Sequence, residues 1–407
     1  MLNKLKSLVA RSIPGMAISQ PPEYGNDRSR LLVDVSIIAK HDAGTGIQRV
    51  VRAICEQLFV NAIDSHDVHF VVASKNRRYR IINKDFLVTG ADARFEATSP
   101  LTVARGDIFL GLDLASRILP RRRRQIEHWR KSGVRIAVVI YDLLPLSNPE
   151  WFDDKQATAF SEWLHFIARY CDEAICISHT VKDVFARWLI DNDCVRRDEI
   201  RLSVLPLGGD ISSSKPSKGI SVGAARAVET LEKKPFVLVV GTVEPRKGHR
   251  FVLDAFDTLF PRTDIEVPAL VVVGRPGWKT EALQERMRTH PECDSRFFWF
   301  DTASDELLDL LYRRCVGVIL PTLAEGFGLP LAEAITHQRP VLARDLPVFR
   351  ENDCEGVTYF SDDRPEQLGK MIAEWYSNRR YFSVSKDKIH LTWEKSCESM
   401  IRILEAG

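Results

Sequence analysis

Short apolar runs alternate with amphipathic helical patterns along most of this chain, and this alternation restricts the possible folds more than any other feature. The first run, residues 31–37, suits a parallel strand that is buried on both faces. Further runs follow at residues 68–72, 108–112, 135–141 and 173–178. Strands that alternate with helices form parallel sheets with helices on both faces. Because the pattern starts again at residues 235–241, after a polar stretch, we expect two α/β domains in succession.

Composition narrows the classes of function. The chain has 407 residues, which is enough for two or three domains with complete cores. Its formal charge of +2 gives no reason to expect nucleic acid as a partner. None of the eight cysteines belongs to a C-x-x-C pair, so we predict reduced core thiols and a cytoplasmic protein.

Two segments could contact an anionic membrane surface, although no apolar run approaches the roughly 18 residues that span a bilayer. Residues 1–11 place leucines on one helical face and cations elsewhere, which fits a helix on a bilayer or a frayed or core-docked terminal helix. The arginine run 121–124 fits a solvated helix face, or a contact with anionic headgroups or a pyrophosphate-linked acceptor. If either segment binds lipid, the protein works at the inner face of the cytoplasmic membrane.

Residues 321–334 predict a phosphate-binding site. An apolar strand pattern leads into a loop, and Pro330 fits the first helical position, where its fixed φ is suitable and its missing N–H costs nothing. Gly326 and Gly328, with Phe327 between them, would let the backbone approach a ligand closely. Amides at the positive end of this helix would face a bound anion. The amides in question are those of Leu329, Leu331 and Ala332.

Two acids bracket this predicted phosphate site. Glu325 lies in the loop, and Glu333 ends the first turn of the helix. Carboxylates repel phosphates but accept hydrogen bonds from the hydroxyls that flank them, and a nucleotide sugar has hydroxyls on both sides of its diphosphate. Alternatively, Glu333 only favours a helix N-terminus and Glu325 is a solvated loop acid.

Three motifs together resemble those of one enzyme family. Glu325 and Glu333 lie in the context E-G-F-G-L-P-L-A-E-A, which is similar to an E-x7-E signature. The sequence G-T-V-E-P-R-K-G at residues 241–248 and Y-D-L-L-P at residues 141–145 occur in the matching order. The chain therefore resembles retaining glycosyltransferases of family 4, with the GT-B fold, and in particular bacterial mannosyltransferase-like members, over roughly residues 30 to 400.

The resemblance implies roles for the acids and for two neighbouring cations. Glu325 is expected to hold hydroxyls of the donor sugar, and Glu333 those of the ribose. Arg246 and Lys247 are adjacent cations at a strand-to-helix turn, so they can neutralise a diphosphate and stabilise the charge that develops on it at bond cleavage. We therefore predict Glu325, Arg246 and Lys247 as catalytic residues, with no protein nucleophile, no metal ion and no cofactor beyond the nucleotide sugar.

Further candidates lie in turns that the resemblance places near the cleft. Gly44, Thr45 and Gly46 are expected near the donor diphosphate, and Arg275 near the diphosphate or the base. The predicted acceptor-binding residues are Tyr141, Asp142 and His179. Asp142 could instead cap its turn, and His179 could be an exposed loop histidine. Many relatives have histidine where this chain has Tyr141, so acid–base chemistry by imidazole is not carried over. Many relatives also have arginine where this chain has Thr242, so the role of that arginine falls on Arg246 or is lost.

We predict the following organisation. An amphipathic segment and linker occupies residues 1–29, and an acceptor-binding Rossmann-like domain occupies residues 30–210. A linker over residues 211–234 leads to a nucleotide-sugar-binding Rossmann-like domain over residues 235–385. A closing helix over residues 386–407 is expected to pack back on the first domain.

The resemblance favours transfer of mannose from GDP-mannose to a polysaccharide or an undecaprenyl-linked acceptor in bacterial surface glycan synthesis. Donors carrying UDP or dTDP stay open. A non-catalytic GT-B scaffold or a nucleotide-sugar epimerase would share the cleft. A dehydrogenase is disfavoured because neither domain opens with a G-x-G-x-x-G sequence.

Overall fold

Two β-sheets, one in each half of the chain, organise the structure, which is a computed structural model. It describes residues 28–60, 65–83, 86, 101–194, 200–214, 216–378 and 392–406. The strands of the first sheet are β1 (Ser29–Asp34), β2 (His66–Val72), β3 (Arg80–Ile81), β4 (Ile108–Gly111), β5 (Arg135–Ile140), β6 (Glu173–Cys176) and β7 (Arg201–Val204). Those of the second are β8 (Phe236–Val240), β9 (Ala269–Val273), β10 (Phe297–Phe300), β11 (Gly317–Leu320), β12 (Val341–Arg344) and β13 (Val357–Phe360).

Both sheets have the strand order of a doubly wound fold. The first runs β3-β2-β1-β4-β5-β6-β7, and only the short β3 is antiparallel to its neighbour. The second runs β10-β9-β8-β11-β12-β13, and every pair in it is parallel. The order reverses between β1 and β4 and again between β8 and β11. Crevices outside the carboxyl ends of strands at such reversals are where these folds bind ligands.

Helices cover both faces of the two sheets. They are α1 (Gly46–Val60), α2 (Arg123–Lys131), α3 (Leu144–Ser147), α4 (Asp154–Tyr170), α5 (His179–Asp191), α6 (Val222–Leu231), α7 (His249–Leu259), α8 (Glu281–Arg288), α9 (Asp305–Arg314), α10 (Leu329–Thr336), α11 (Pro347–Glu351), α12 (Pro365–Asn378) and α13 (Trp393–Glu405). In α1, the apolar stripe of Val50, Val51, Ile54 and Leu58 is buried in the core of the first domain. The prediction of two Rossmann-like domains is confirmed.

The expected linker over residues 211–234 contains structure of its own. Helix α6 lies within it, and Val228 and Leu231 pack in the core of the second domain. Small polar residues precede this helix, but the apolar spacing from Val222 onward is enough to form and bury one face of a helix. The stretch therefore leads directly into the second domain.

The last helix packs on the first domain. Trp393, Cys397, Met400 and Leu404 recur at helical spacing along α13, and all four are buried in the core of the first domain. The amide of Trp393 also donates to Asp210 Oδ1 at 2.8 Å. The chain thus starts in the first domain, continues through the second and has its last described helix on the first domain again.

Several features bear on the remaining predictions. The amphipathic segment predicted at residues 1–11 lies outside the described residues. Within the part of the chain that the structure describes, no helix is long and apolar enough to cross a bilayer. All eight cysteines are free thiols, and most of them are buried.

Candidate active site

The loops after β8 and β11 meet at the point where the strand order of the second sheet reverses. The amide of Leu323 donates to the carbonyl of Arg246 at 2.7 Å, and the Thr322 hydroxyl donates to the same carbonyl at 3.0 Å. These two bonds hold the loop after β11 against the loop after β8. The two sequence motifs, which are about 80 residues apart, therefore form a single site.

Glu325 lies between the two predicted cations. Its Oε2 accepts from Arg246 Nη1 at 3.1 Å, and its Oε1 accepts from Lys247 Nζ. Arg246 also pairs through Nε with Glu244 at 2.8 Å. The side chain of Glu325 is only 11% exposed, so these charges interact in a largely desolvated setting.

The electrostatic balance keeps Glu325 ionised. Burial by itself raises the pKa of Glu325, but the positive charges of Lys247 and Arg246 outweigh it, so the pKa lies below its usual value. Burial raises the pKa of Glu244, although Arg246 opposes this shift. The site therefore presents two cations and a charged carboxylate, an arrangement that can bind sugar hydroxyls next to a diphosphate.

Asp142 brings the first domain into this site. It follows β5 and lies close enough to Gly326 that a Cβ built on this glycine would be 3.3 Å from the Asp142 Cβ. Burial raises the pKa of Asp142, and the charge of Arg246 opposes the rise. Oδ1 accepts from the Leu144 amide at 3.1 Å, so the carboxylate caps its own turn while it faces the cations of the second domain.

Tyr141 does not contact the cleft with its side chain. The ring is buried in the core of the first domain, and its hydroxyl donates to the Leu112 carbonyl at 2.7 Å. The prediction that Tyr141 binds the acceptor is therefore wrong for the phenol. Side chains alternate in direction along an extended chain. The side chain of Tyr141, which directly follows β5, therefore points into the core, and that of Asp142 points to the cleft.

Gly326 is required by the contact between the domains. A Cβ at this position would lie 1.9 Å from the Tyr141 carbonyl oxygen, so the two backbones approach too closely for any side chain. The Gly326 carbonyl also accepts from Ser178 Oγ of the first domain at 2.7 Å. This glycine thus serves the interface between the domains.

Phe327 and the start of α10 differ from the prediction. Phe327 is 5% exposed and packs in the core of the first domain, so its predicted contact with the donor is replaced by a contact between domains. The amides of Leu331 and Ala332 donate to the Gly328 carbonyl at 2.9 and 3.4 Å, so they do not face an anion here. Gly328 has φ +90°, and this left-handed conformation sets the direction in which α10 begins.

Glu333 is buried and already paired. Its Oε1 accepts from Arg49 Nη1 of the first domain, and its Oε2 accepts from the Tyr312 hydroxyl at 2.8 Å. Arg49 was not predicted from the sequence as a site residue. Its spacing of four residues from Thr45 places Arg49 near the predicted turn, but its partner Glu333 could not be predicted from this spacing.

The first-domain turn predicted near the donor reaches the second domain. Arg275 Nη1 donates to the Ala43 carbonyl at 2.8 Å, and a Cβ at Gly44 would be 3.7 Å from Arg275 Nη2. A Cβ at Gly46 would be 3.6 Å from Leu329 Cδ1, at the start of α10. The Thr45 amide donates to Gln48 at 3.3 Å, inside the first turn of α1.

His179 is exposed, and its backbone contacts the second domain. Its amide donates to Glu351 Oε2 at 2.8 Å, and the Thr180 amide donates to Oε1 of the same carboxylate at 2.5 Å. Ser178 caps α5, and its hydroxyl accepts from the Val181 amide at 3.1 Å. A carboxylate of α11 thus neutralises the positive end of α5 across the domain boundary.

The sequence of the second half matches a known family. Residues 223–388 match the family described as glycosyl transferases group 1. The chain is 34% identical to the serotype-specific mannosyltransferase WbdA of Escherichia coli over 94% of its own length and 47% of that protein. It is 24% identical to the O-antigen chain mannosyltransferase RfbU of Salmonella typhimurium over 56% of each chain. The chain thus spans about half the length of the WbdA proteins.

Solved structures match the whole fold. Sucrose-phosphate synthase from Thermosynechococcus elongatus superposes with a TM-score of 0.57 at 15% identity, over 93% of this chain and 95% of that one. HepE from Anabaena in complex with UDP-glucose superposes with a TM-score of 0.55 at 15% identity, over 92% and 94%. The chain has the GT-B fold and belongs to the group 1 glycosyl transferases, which are family 4 of the glycosyltransferases.

Proposed function

We propose that this chain transfers a sugar from a nucleoside diphosphate donor to a hydroxyl group, with retention of the configuration at the transferred carbon. The observation that carries the proposal is the cluster of Glu325, Arg246 and Lys247 at the strand reversal of the second sheet. The two cations bind the diphosphate, and the ionised carboxylate binds hydroxyls of the sugar attached to it.

The same cluster supplies the catalytic effect. Negative charge grows on the leaving diphosphate as the glycosidic bond breaks, and fixed cations in a desolvated site stabilise this charge without having to reorganise. Arg246 is held from two sides by Glu244 and Glu325, so its guanidinium is oriented before the donor binds. Two cations in this position supply positive charge from the protein itself.

The acceptor enters from the first domain. Asp142 is a carboxylate of the first domain that lies near the cations Arg246 and Lys247 of the second domain. It accepts a hydrogen bond from the incoming hydroxyl and orients it toward the donor sugar. His179, exposed at the start of α5, lies at the outer side of the same boundary.

GDP-mannose is the donor that we propose first, with mannose as the transferred sugar. The relatives that match more than half of this chain are mannosyltransferases, and each is named for a serotype or for an O-antigen chain. The proposed acceptor is accordingly a growing glycan or lipid-linked oligosaccharide of a bacterial surface polysaccharide. A UDP-sugar, a dTDP-sugar or a non-catalytic scaffold would each give a distinct result in the assay below.

The test is sugar transfer by the full chain with GDP-mannose, UDP-glucose and dTDP-rhamnose, compared with the Glu325→Gln variant. Glutamine keeps the shape of the side chain but removes the charge between Arg246 and Lys247. We expect transfer from one donor, and a loss of about 100-fold or more in the variant, as for other groups that act on the transition state. Nucleotide binding should change by less than about tenfold.

Two outcomes would contradict the proposal. Binding of a nucleotide sugar with no transfer to any glycan acceptor would favour the non-catalytic scaffold. Equal transfer by Glu325→Gln and the unaltered chain would remove Glu325 from the catalytic set.

We also propose that the enzyme works at the inner face of the cytoplasmic membrane. The basic run lies in a turn of 3-10 helix (Leu119–Arg122) and in α2, where Ile126 and Trp129 are buried and arginines face outward. The exposed arginines are Arg121, Arg123 and Arg124. An exposed cationic face attracts anionic lipid headgroups, where a lipid-linked acceptor would be found.

A further inference from the structure

We propose that Arg49, a residue of the first domain, completes the ribose-binding part of the donor site in the second domain by pairing with Glu333 and holding its carboxylate in place. This inference rests on the proposed function, because it takes Glu333 to bind the ribose hydroxyls. Arg49 is a positioning residue in this account, since it acts through Glu333.

The burial of Glu333 creates the need for a counter-charge. Glu333 is 2% exposed, and a carboxylate so far from solvent is costly unless it is paired. Tyr312 donates one hydrogen bond to it but carries no charge. Among the described residues, Arg49 is the one cation within ion-pair distance of this carboxylate. The charge that balances Glu333 therefore comes from the other domain.

The second domain fixes the position of Tyr312 independently. The Tyr312 ring stacks on His337 at 4.9 Å between centroids, and His337 Nε2 lies 2.9 Å from Asp309 Oδ1. His337 Nδ1 also lies 2.8 Å from the Glu333 carbonyl oxygen. One oxygen of the Glu333 side chain is thus oriented by its own domain, and the other depends on Arg49.

Arg49 is itself held in a fork. Nη1 donates to Glu333, and Nη2 donates to Asp305 Oδ1 at 2.5 Å. The other oxygen of Asp305 accepts from the amide and the hydroxyl of Ser217, at 2.9 and 2.8 Å. The guanidinium plane is therefore fixed by two carboxylates of the second domain, which suits Arg and does not suit Lys.

This pairing leaves capacity on Glu333 for a ligand. An ionised carboxylate can accept about four hydrogen bonds, two on each oxygen. Arg49 uses one position on Oε1, and Tyr312 uses one on Oε2. One position on each oxygen is left, which matches two neighbouring hydroxyls such as those of a ribose. Since Arg49 belongs to the first domain, the nucleoside is bound fully only when the two domains are in contact.

The experiment compares nucleotides with and without ribose hydroxyls. Calorimetry would measure binding of GDP and UDP, and of their 2′,3′-dideoxy analogues, to the full chain and to the Arg49→Gln variant. We expect the ribonucleotide that binds the full chain to bind Arg49→Gln about tenfold more weakly, as for the loss of one charged hydrogen bond. Binding of its dideoxy analogue should change by less than about twofold.

Arg130→Gln is the matched control. Arg130 pairs with Asp172 at 2.8 Å, at the opposite edge of the first sheet, so its removal costs an ion pair of the same domain without touching the cleft. Both nucleotides should bind this variant as they bind the full chain. If Arg49→Gln does not fold, Arg49→Lys serves instead, because it keeps the charge but cannot pair with Glu333 and Asp305 at once. In this variant the ratio of ribonucleotide to dideoxynucleotide affinity should fall about threefold.

The outcomes separate the two claims. If the full chain prefers the ribonucleotide and Arg49→Gln weakens both nucleotides equally, Arg49 has only a structural role and this inference fails while the proposed function stands. An unchanged preference in Arg49→Lys would overturn it as well. If the full chain binds neither nucleotide, or binds both with equal affinity, the assigned role of Glu333 in donor binding fails, and this inference fails with it.

Discussion

At the scale of single residues, charge pairing across short distances decides what this cleft can bind. Glu325 is ionised because two cations outweigh the effect of its burial, and Glu333 is paired with an arginine from the other domain. Neither pairing follows from spacing in the sequence alone, because each partner comes from a distant segment. The place of Glu325 in the cleft could be predicted from its motif. The pairing of Glu333 with Arg49 could not, since it depends on how the domains meet.

Two buried carboxyl groups in the first domain predict a dependence of stability on pH. Burial raises the pKa of Asp34 to about 6 and that of Asp113 to about 7. A raised pKa in the folded state means that the fold binds protons more tightly than the unfolded chain. The stabilising contribution is therefore complete below about pH 4 and is lost as the pH rises to about 7, by about 3 kcal/mol for Asp34.

Urea unfolding between pH 4 and pH 8 checks this prediction when each variant is compared with the unaltered chain at the same pH. The free energy of unfolding of Asp34→Asn and Asp113→Asn, relative to the unaltered chain, should rise with pH because the variants lack a titrating carboxyl. Asn keeps an acceptor for Tyr79 and Ser36, which donate to Asp34. A difference that is constant over this range would mean that the two carboxyls titrate normally.

At the scale of elements, the loop before α10 acts as a joint between the domains. Gly326 faces the Tyr141 carbonyl, Phe327 enters the core of the first domain, and Ser178 donates to the Gly326 carbonyl. The sequence predicted a close approach of the backbone at these glycines, but to a ligand. It could not show that the approaching group is the other domain, because a glycine pattern does not identify what comes near.

Gly326→Ala should lower the free energy of unfolding by about 1–3 kcal/mol, the usual cost of forcing an extra methyl group into a packed contact. Thermal unfolding would measure this change. Gly223→Ala is the control, since a Cβ there meets no atom within 4 Å and lies in helix α6. The control should be neutral or slightly stabilising. Equal midpoints for both variants would show that the loop tolerates separation of the two backbones.

The exposed arginines of α2 and of the 3-10 turn before it are predicted to bind anionic lipid. Replacing Arg121, Arg123 and Arg124 by Gln should weaken binding to vesicles with anionic headgroups by about 100-fold, at about 1 kcal/mol for each cation near the surface. Cosedimentation of the protein with these vesicles measures the binding. A control with the same loss of charge replaces exposed arginines of the second domain, namely Arg262, Arg288 and Arg364. If both triple variants bind equally, the attraction reflects total charge and not this face.

At the scale of the whole molecule, the fold was predictable and the interface between domains was not. Continuous apolar runs and helices of period 3.6 indicate each Rossmann-like domain locally, and their alternation predicts a parallel sheet. The contacts that join the domains depend on side chains far apart in sequence. Tyr141 illustrates the limit, because its position beside the cleft was correct but its side chain points into the core.

The central claim is that the second domain binds the donor diphosphate through Arg246 and Lys247. The most direct measurement is calorimetry of GDP, UDP and dTDP with the full chain, Arg246→Ala and Lys247→Ala, using the matching free nucleoside as a ligand without phosphates. We predict preferential binding of one nucleoside diphosphate, weakened about tenfold or more by each variant, with no change for the nucleoside. Unchanged binding of that nucleoside diphosphate by both variants would contradict the account.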